Sequence, residues 1–370
     1  MAPTQYYVDP VINANIGTGT IGNPFGDLQY ALNTVTRDTA NGDQINIKAG
    51  TAELLAATLS LSTYGVPTAG APLVLRGYTA AADDGGRGIV SGNNGNFTLL
   101  QNAVNFLHLR DLRLTNTGSA YVLGYLGNYC SIINCEIDTS ASHGLLIAGA
   151  CVVDSCYVHD VNGHGIYTES GATIVRNCCI VGVASNNGAY GIYLINPACK
   201  AHSNLIKLGT NGTGICSLSN GAEIIQNAVI GVNNTGKGIE MSGSSVNSVV
   251  ANNIVAGFSG SGGRGYSITA NSLAIYRSNA AYNNATNYYE SYSFAMTSDD
   301  NQTLAAAPFT DAANGDFSLT ETAKAELRSA GWPTSYLGAH ANSNPHVTIG
   351  PVQYGPTPTG GGRRPRLWSV

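Results

Sequence analysis

Short apolar pairs separated by polar turns recur along most of the chain. Ile132-Ile133, Val152-Val153, Ile174-Val175, Ile224-Ile225 and Val249-Val250 each run into a polar turn. That turn reads Arg110-Asp111-Leu112, Asn134-Cys135-Glu136, Ser155-Cys156-Tyr157, Asn177-Cys178-Cys179, Ser203-Asn204-Leu205, Gln226-Asn227-Ala228, Asn252-Asn253-Ile254 and Ser278-Asn279-Ala280. With Asp111, Cys135, Cys156, Cys178, Asn204, Asn227, Asn253 and Asn279 as markers, successive spacings are 24, 21, 22, 26, 23, 26 and 26 residues. A second ladder runs in phase with the first, at Gly144, Gly165, Gly191, Gly214, Gly238 and Gly265. Two markers that share one drifting period define a repeat architecture.

A period of this length holds three short strands and their turns. One such coil is not stable alone. About six inward apolar side chains contribute ~1.5–3 kcal/mol each, while ordering about 22 residues costs ~1–2 kcal/mol apiece. Stacked coils hydrogen-bond to one another about 4.8 Å apart and share one interior. The pattern therefore predicts an all-β fold: a single-stranded right-handed parallel β-helix solenoid of roughly eight or more coils.

Asn suits the sharp turn because it tolerates left-handed backbone and can bond to Asn residues above and below it. Cys fills the same niche as a small residue that accepts burial. A further row lies five residues earlier, at Cys130, Cys151 and Cys199 with Thr173 between them. Stacked thiols and inter-coil disulfides both fit such rows.

A solenoid needs closed ends. Residues Asp27–Asn33 read as a short amphipathic helix over the first coil, and 44–50 and 72–78 read as early strands. The expected organisation is an N-terminal helical cap with first strands over 1–50 and a β-helix body over 51–296. An irregular C-terminal cap over 297–354 and a Pro/Gly linker with a basic tail over 355–370 complete it. Residues 322–328 read as a helix stopped by Gly331 and Pro333, and 347–350 as a last strand.

Composition narrows the function classes. Charged residues make up 11% of the chain, less than half the usual ~25%. The net charge is −5, and the last eight residues carry three Arg, so the body without them is near −8 (−5 minus 3). Such a body argues against nucleic acid as a partner. No stretch approaches 18 consecutive apolar residues, so no membrane span is expected. No signal peptide is visible at the start. The eight Cys form no C-x-x-C pair and no His stands at zinc-site spacing, so no metal or cofactor is expected.

Tyr7-Val8-Asp9-Pro10, Asn23-Pro24, Leu28-Gln29-Tyr30-Ala31-Leu32 and the run Ile45–Thr51, together with the coil pattern over roughly 5–300, resemble pectate-lyase-like β-helix proteins. The ending, Gly315–Thr320 through Ile349–Gln353, is similar to caps of β-helix proteins from tailed phages and environmental bacteria. That superfamily contains polysaccharide lyases, hydrolases, epimerases, phage tailspikes and non-enzymatic adhesins, so the resemblance implies fold more than function. The polygalacturonase-like branch carries paired Asp, a Gly-His-Gly and an Arg-x-Lys. Only Gly163-His164-Gly165 matches, while Asp83-Asp84 and Asp299-Asp300 lie far from it in sequence.

One cluster can support chemistry. His143 and His164 precede the Gly ladder one coil apart and should stack about 5 Å from each other. Asp138, His159 and Asp160 follow the turn markers of the same two coils, and Glu169 is close in sequence. His143, His164, Asp160 and Glu169 are the catalytic candidates for acid–base work on a glycan. Solvated turn residues are the plainer account. Tyr190, Arg264, Tyr288, Tyr289 and Tyr292 are candidates for stacking on sugar rings, with a capping layer as the ordinary alternative.

Two functions fit. The first is a non-enzymatic structural protein on the surface of a phage-like virion, a head decoration or spike, released by lysis without an export signal. Its tail, Arg363, Arg364, Arg366, Leu367 and Trp368, would dock on another virion subunit; a homotrimer is compatible with a spike of this fold, though no sequence feature demands it. A surface glycan is the further partner in this reading. The second is a polysaccharide lyase or glycoside hydrolase acting on a surface glycan.

Overall fold

The computed structural model describes residues 2–327, apart from 13, 101–103, 117, 119–120, 184–187, 244, 269–273, 292–299 and 315. The chain divides into two compact units, one up to Cys199 and one from Lys200 onward.

In the first unit, parallel strands one coil apart form three sheets. Thr4–Val8, Asp43–Lys48, Leu73–Tyr78, Leu107–Arg110, Ser131–Ile133, Val152–Asp154 and Ile174–Arg176 pair in that order in the first sheet. The second sheet runs Ala52–Leu54, Gly88–Ser91, Leu112–Thr115, Glu136–Ser140, Tyr157–Val161 and Cys179–Val183. The third holds Leu123–Leu126, Leu145–Ile147, Ile166–Thr168 and Tyr190–Leu194. Four coils thus carry all three strands.

The second unit repeats the pattern. Its first sheet is Lys200–His202, Glu223–Ile225, Ser248–Ala251 and Ala274–Arg277; its third is Thr213–Ser217, Lys237–Met241, Arg264–Ile268 and Thr286–Glu290. The second sheet runs from Leu205–Leu208 through Ala228–Ile230, Ile254–Ala256 and Ala280–Tyr282 to Gln302–Thr303. Four more full coils make eight among the described residues. An antiparallel pair, Phe309–Asp311 with Asp316–Leu319, and the helix Glu321–Leu327 follow. They place Leu304, Phe309, Leu319, Ala323 and Leu327 in one apolar cluster with Ala228, Ile254 and Ala280. The chain is a parallel β-helix, as the repeat predicts. The expected strand at 347–350, the linker and the basic tail with Arg363, Arg364, Arg366, Leu367 and Trp368 lie outside the described residues.

Each coil turns its corner at one left-handed residue. Asp111, Asn134, Ser155, Asn177, Ser203, Gln226, Asn252 and Ser278 have φ of 52°, 53°, 56°, 54°, 55°, 60°, 58° and 51°. In seven coils this is the residue before the sequence marker. In the first it is Asp111 itself, and the Asn134 amide donates to Asp111 Oδ1 at 2.6 Å. The marker there is one residue out of step, because Leu112 holds the inward slot that Cys135 holds one coil later. The corner and the slot beside it both accept polar residues, so polarity alone does not separate them.

The inward slot is filled in two ways. In the second unit Asn204, Asn227, Asn253, Asn279 and Asn301 form a ladder. Each of the first four donates its backbone N–H and its side-chain amide to the Oδ1 of the next, at 2.9–3.1 Å. From Asn227 onward each amide also donates to a carbonyl of the preceding coil, as Asn253 does to Ile224 O at 2.8 Å. In the first unit Cys135, Cys156 and Cys178 fill the slot with thiols on carbonyl oxygens. The second row obeys the same rule: Cys130, Cys151 and Thr173 each donate to a carbonyl one coil back, at 3.0, 2.9 and 2.8 Å. A shared acceptor explains why Cys and Thr interchange. All eight cysteines are buried thiols, not joined in disulfides.

The Gly ladder is a matter of clearance. A Cβ on Gly165 would lie 2.7 Å from Gly191 O, and one on Gly238 would lie 2.6 Å from Gly265 O. No side chain fits between coils there.

The N-terminal cap is the helix Leu28–Thr34, whose N-cap Asp27 accepts from the Tyr30 N–H at 2.6 Å. Leu28, Ala31 and Leu32 face inward. Glu53 Oε1 accepts from the Leu28 N–H at 3.0 Å. Burial raises the Glu53 carboxyl to about 7, against the Leu28 hydrogen bond and helped by the Asp27 charge.

Two outcomes follow. Replacing Asn253 by Ala strips partners from Asn227, Asn279 and Ile224, and is expected to lower stability by about 2–4 kcal/mol in urea unfolding. For Glu53 the folded state favours the neutral acid, so its stabilisation is complete below pH 4.5 and is lost as pH rises to about 7. The loss is roughly 3 kcal/mol across that window, and Glu53→Gln should flatten it in melts at pH 4.5 and 8.

Candidate functional site

The second sheet of the first unit carries a compact ionic cluster. Counting from the inward slot, the next position reads Arg113, Glu136, Tyr157, Cys179, and the position two further on reads Thr115, Asp138, His159, Val181. The strand registers confirm both columns. Strands ~4.8 Å apart thereby bring together residues more than 20 positions apart in sequence.

Arg113 binds Asp138 Oδ2 through Nε at 2.9 Å and Nη2 at 2.6 Å, and lies 3.3 Å from Glu136 Oε1. Arg87, from the turn before Gly88–Ser91, reaches Glu136 Oε2 at 2.6 Å. Burial pulls the Arg113 guanidinium down, but the Asp138 hydrogen bond and the Asp138 and Glu136 charges outweigh it and leave it above its usual value. Although Asp138 points outward, its side chain is 0% exposed beneath these partners.

Thr139 and Asp160 break the regular strand with φ of 53° and 54°. The kink lets the Asp160 carboxylate accept from His159 Nδ1 at 2.7 Å. That bond leaves Nε2 as the lone-pair nitrogen of the neutral ring. Nε2 is buried, has no hydrogen-bond partner, and lies 3.5 Å from Glu136 Oε1 and 3.8 Å from Asp138 Oδ2. The Tyr157 ring packs on the imidazole with centroids 4.3 Å apart.

One ligand atom each from Glu136, Asp138 and His159 lie within 4.8 Å of one another. The distances suit a divalent cation, and Asp160 on Nδ1 is the usual support of a ligating His. Arg113 already donates to the same carboxylates, however, and supplies the charge a resident ion would bring. With Arg113 seated the donor set does not fit a resident metal.

His143 and His164 belong to a different feature. Their rings stack with centroids 4.3 Å apart and planes 5° from parallel. His143 Nδ1 accepts from the His164 N–H at 2.6 Å, and His164 Nδ1 accepts from the Tyr190 N–H at 3.1 Å. An accepting Nδ1 cannot also carry a proton, so these bonds hold both rings neutral. Burial lowers both, His164 to about 4 with help from His143. The pair is thereby a poor match to the acid–base role expected for it. Asp160 binds His159 instead of these rings, and Glu169 is exposed.

Tyr190 continues the stack, 4.9 Å from His164. In the second unit the Arg264 guanidinium lies 3.3 Å from the centre of the Tyr289 ring. Tyr288 is a correction: it packs on Tyr266 in the interior at 5.2 Å, and its hydroxyl donates to Asn279 O and Gln302 O. Its partly buried ring serves the capping layer that was the ordinary alternative. Tyr292 lies outside the described residues. A cavity of about 230 Å³ in the second unit, bordered by Ile230, Val232, Asn283 and Ala312, has no titratable side chain among its lining residues.

The sequence pointed to Asp138, His159 and Asp160 but missed Arg87, Arg113 and Glu136. Misplacing the marker at Asp111 put Arg113 and Glu136 at different positions of the coil. With Leu112 as the marker they fall in one column. Arg87 lies outside any repeat position.

Neither a family model nor a curated protein matches the chain. Solved structures do. The pectate lyase Pel9A aligns over 95% of this chain and 97% of its own, at 15% identity and a TM-score of 0.61. A rhamnogalacturonan lyase aligns over 87% of this chain and 98% of its own, at 14% identity and a TM-score of 0.53. These likenesses establish the shared β-helix fold.

The stacked pair is tested by titration. In ¹⁵N spectra His143 and His164 should keep the Nε2–H tautomer at pH 6, with His164 protonating only near pH 4. A His164 midpoint above 6 would contradict the stacked, accepting geometry.

Proposed function

We propose that the chain is a polysaccharide-active enzyme, a lyase acting on uronate-containing glycans through Arg87, Arg113, Glu136, Asp138, His159 and Asp160. The observation that carries this reading is His159, a ring nitrogen without a partner between two carboxylates, with its other nitrogen fixed by a third. Elimination from a uronate requires neutralisation of the substrate carboxylate and a group to take the proton on the adjoining carbon. Arg87 and Arg113, 32% and 42% exposed, stand where a glycan carboxylate can reach them.

In this scheme the substrate carboxylate takes guanidinium N–H groups from Glu136. His159 Nε2, buried before substrate binds, is uncovered as the guanidinium groups turn from the two carboxylates to the substrate; it takes the proton from the carbon beside the substrate carboxylate, a carbon–carbon double bond forms, and the glycosidic C–O bond breaks. The imidazolium proton then goes to the departing oxygen. Asp160, Asp138 and Glu136 stabilise the imidazolium meanwhile.

Hydrolysis requires a carboxyl that donates a proton beside a second carboxylate. Here both carboxylates accept from guanidinium groups, which favours elimination. The pectate lyase and the rhamnogalacturonan lyase of like fold support an enzyme over a structural protein. No observation favours the virion reading, and the tail on which it rested is outside the described residues.

The test is incubation with polygalacturonate, rhamnogalacturonan and alginate, following the ultraviolet absorbance of unsaturated products. The wild-type chain should release them from at least one polymer, and His159→Ala should slow release about 100-fold or more. Reducing ends without unsaturation would indicate hydrolysis instead. Full activity in His159→Ala would remove this cluster from the reaction.

A further inference from the structure

The geometry points to a second binding surface on the first unit: an aromatic platform, centred on Tyr125 and Tyr167, that holds pyranose rings of a glycan chain by their carbon–hydrogen faces. This inference rests on the glycan reading above and extends it from the ionic cluster to the neighbouring corner of the same coils.

Tyr121, His143, His164 and Tyr190 occupy one place on four successive coils. Their ring centroids are 5.2, 4.3 and 4.9 Å apart. The stack consumes most of its own faces and acts as a rigid spine. Tyr125 and Tyr167, on the third sheet, stand across that spine. Tyr125 meets Tyr121 at 85°, and Tyr167 meets His143 and His164 at 74° and 78°. Tyr193, one strand on, continues from Tyr167 at 5.3 Å and 19° and is backed by Tyr190 at 4.3 Å. Rings set edge-on to a spine direct their planes along the stacking direction, the direction a linear polymer would run.

Three observations select a glycan as occupant. The spine histidines are neutral, because each Nδ1 accepts a backbone N–H, so the surface has no charge for an acidic peptide or nucleic acid. The rim is polar: Glu169 is exposed two residues after Tyr167, and burial first, then neighbouring groups that include the Glu169 charge, raise the Tyr121 and Tyr167 hydroxyls. Aromatic faces with a rim of hydroxyls and a carboxylate complement a sugar ring, which offers C–H groups on its face and hydroxyls around its edge. Finally, the spine and the ionic cluster share coils. Asp138 and His143 sit on one, and His159 and His164 on the next. The platform and the groups proposed to cleave the chain thus lie on the same run of coils.

The test is affinity electrophoresis of the full chain in native gels cast with polygalacturonate, rhamnogalacturonan or neutral galactan. The wild-type protein should be retarded by at least one polymer. The Tyr125→Ala/Tyr167→Ala variant should need at least ten times more polymer for equal retardation, while Tyr167→Trp, which keeps a flat ring, stays within about threefold. Equal melting temperatures show that the variants are folded. Wild-type retardation by the double variant overturns the platform and leaves the ionic cluster untouched. No retardation of the wild type by any polymer also overturns it, and the cleavage assay then decides the enzymatic reading separately.

Discussion

Backbone hydrogen bonding between successive coils, at a register of one coil per step, is the constraint on which the rest depends. It converts a loose sequence period into straight columns of side chains about 4.8 Å apart. A residue type that works once at a position then works again one coil later, because it meets the same neighbours. Asn bonds to Asn, thiols and a hydroxyl meet the same carbonyl, and Gly stays wherever a carbonyl leaves no clearance for Cβ. The interior needs no single large centre, since each coil borrows its floor and ceiling from its neighbours.

The same constraint builds the candidate chemistry. Glu136, Asp138 and His159 are not close in sequence, and the strand register alone brings them together. Left-handed kinks at Thr139 and Asp160 then end the regular strand and fold one carboxylate back onto the imidazole. Two kinds of histidine result from one scaffold. His143 and His164 use Nδ1 to accept backbone N–H groups and become neutral pieces of a spine. His159 donates from Nδ1 to a carboxylate and keeps Nε2 facing charge. Hydrogen-bond direction at one ring nitrogen separates a structural ring from a reactive one.

The fold was legible because its signal is redundant. Turn residues, apolar pairs and glycines repeat together, and an error in one does not hide the others. The cap helix was legible from Asp27 and the apolar spacing of Leu28, Ala31 and Leu32. The site was only partly legible, since its residues occupy outward positions where no periodic rule selects a type. Asp138, His159 and Asp160 stood out as titratable groups on adjacent coils. Arg113 and Glu136 are hidden by a one-residue slip at Asp111, where a polar corner residue reads like the inward one. Arg87 belongs to no column, and only three-dimensional structure reveals it. Tyr288 misled for the opposite reason: its position faces inward, and a tyrosine there reads in sequence like one on the surface.

The register itself is most directly tested by trapping it. Asp154 and Arg176 are strand partners on neighbouring coils, outward-facing and joined at 2.8 Å. In an Asp154→Cys/Arg176→Cys variant, mild oxidation and peptide mapping should find a disulfide between the two positions, whose backbones fit the required separation. The out-of-register control, Asp154→Cys/Ile174→Cys, should remain reduced at those sites. Cross-linking of the control in preference to the matched pair would contradict the one-coil register and, with it, the columns from which the candidate site is built.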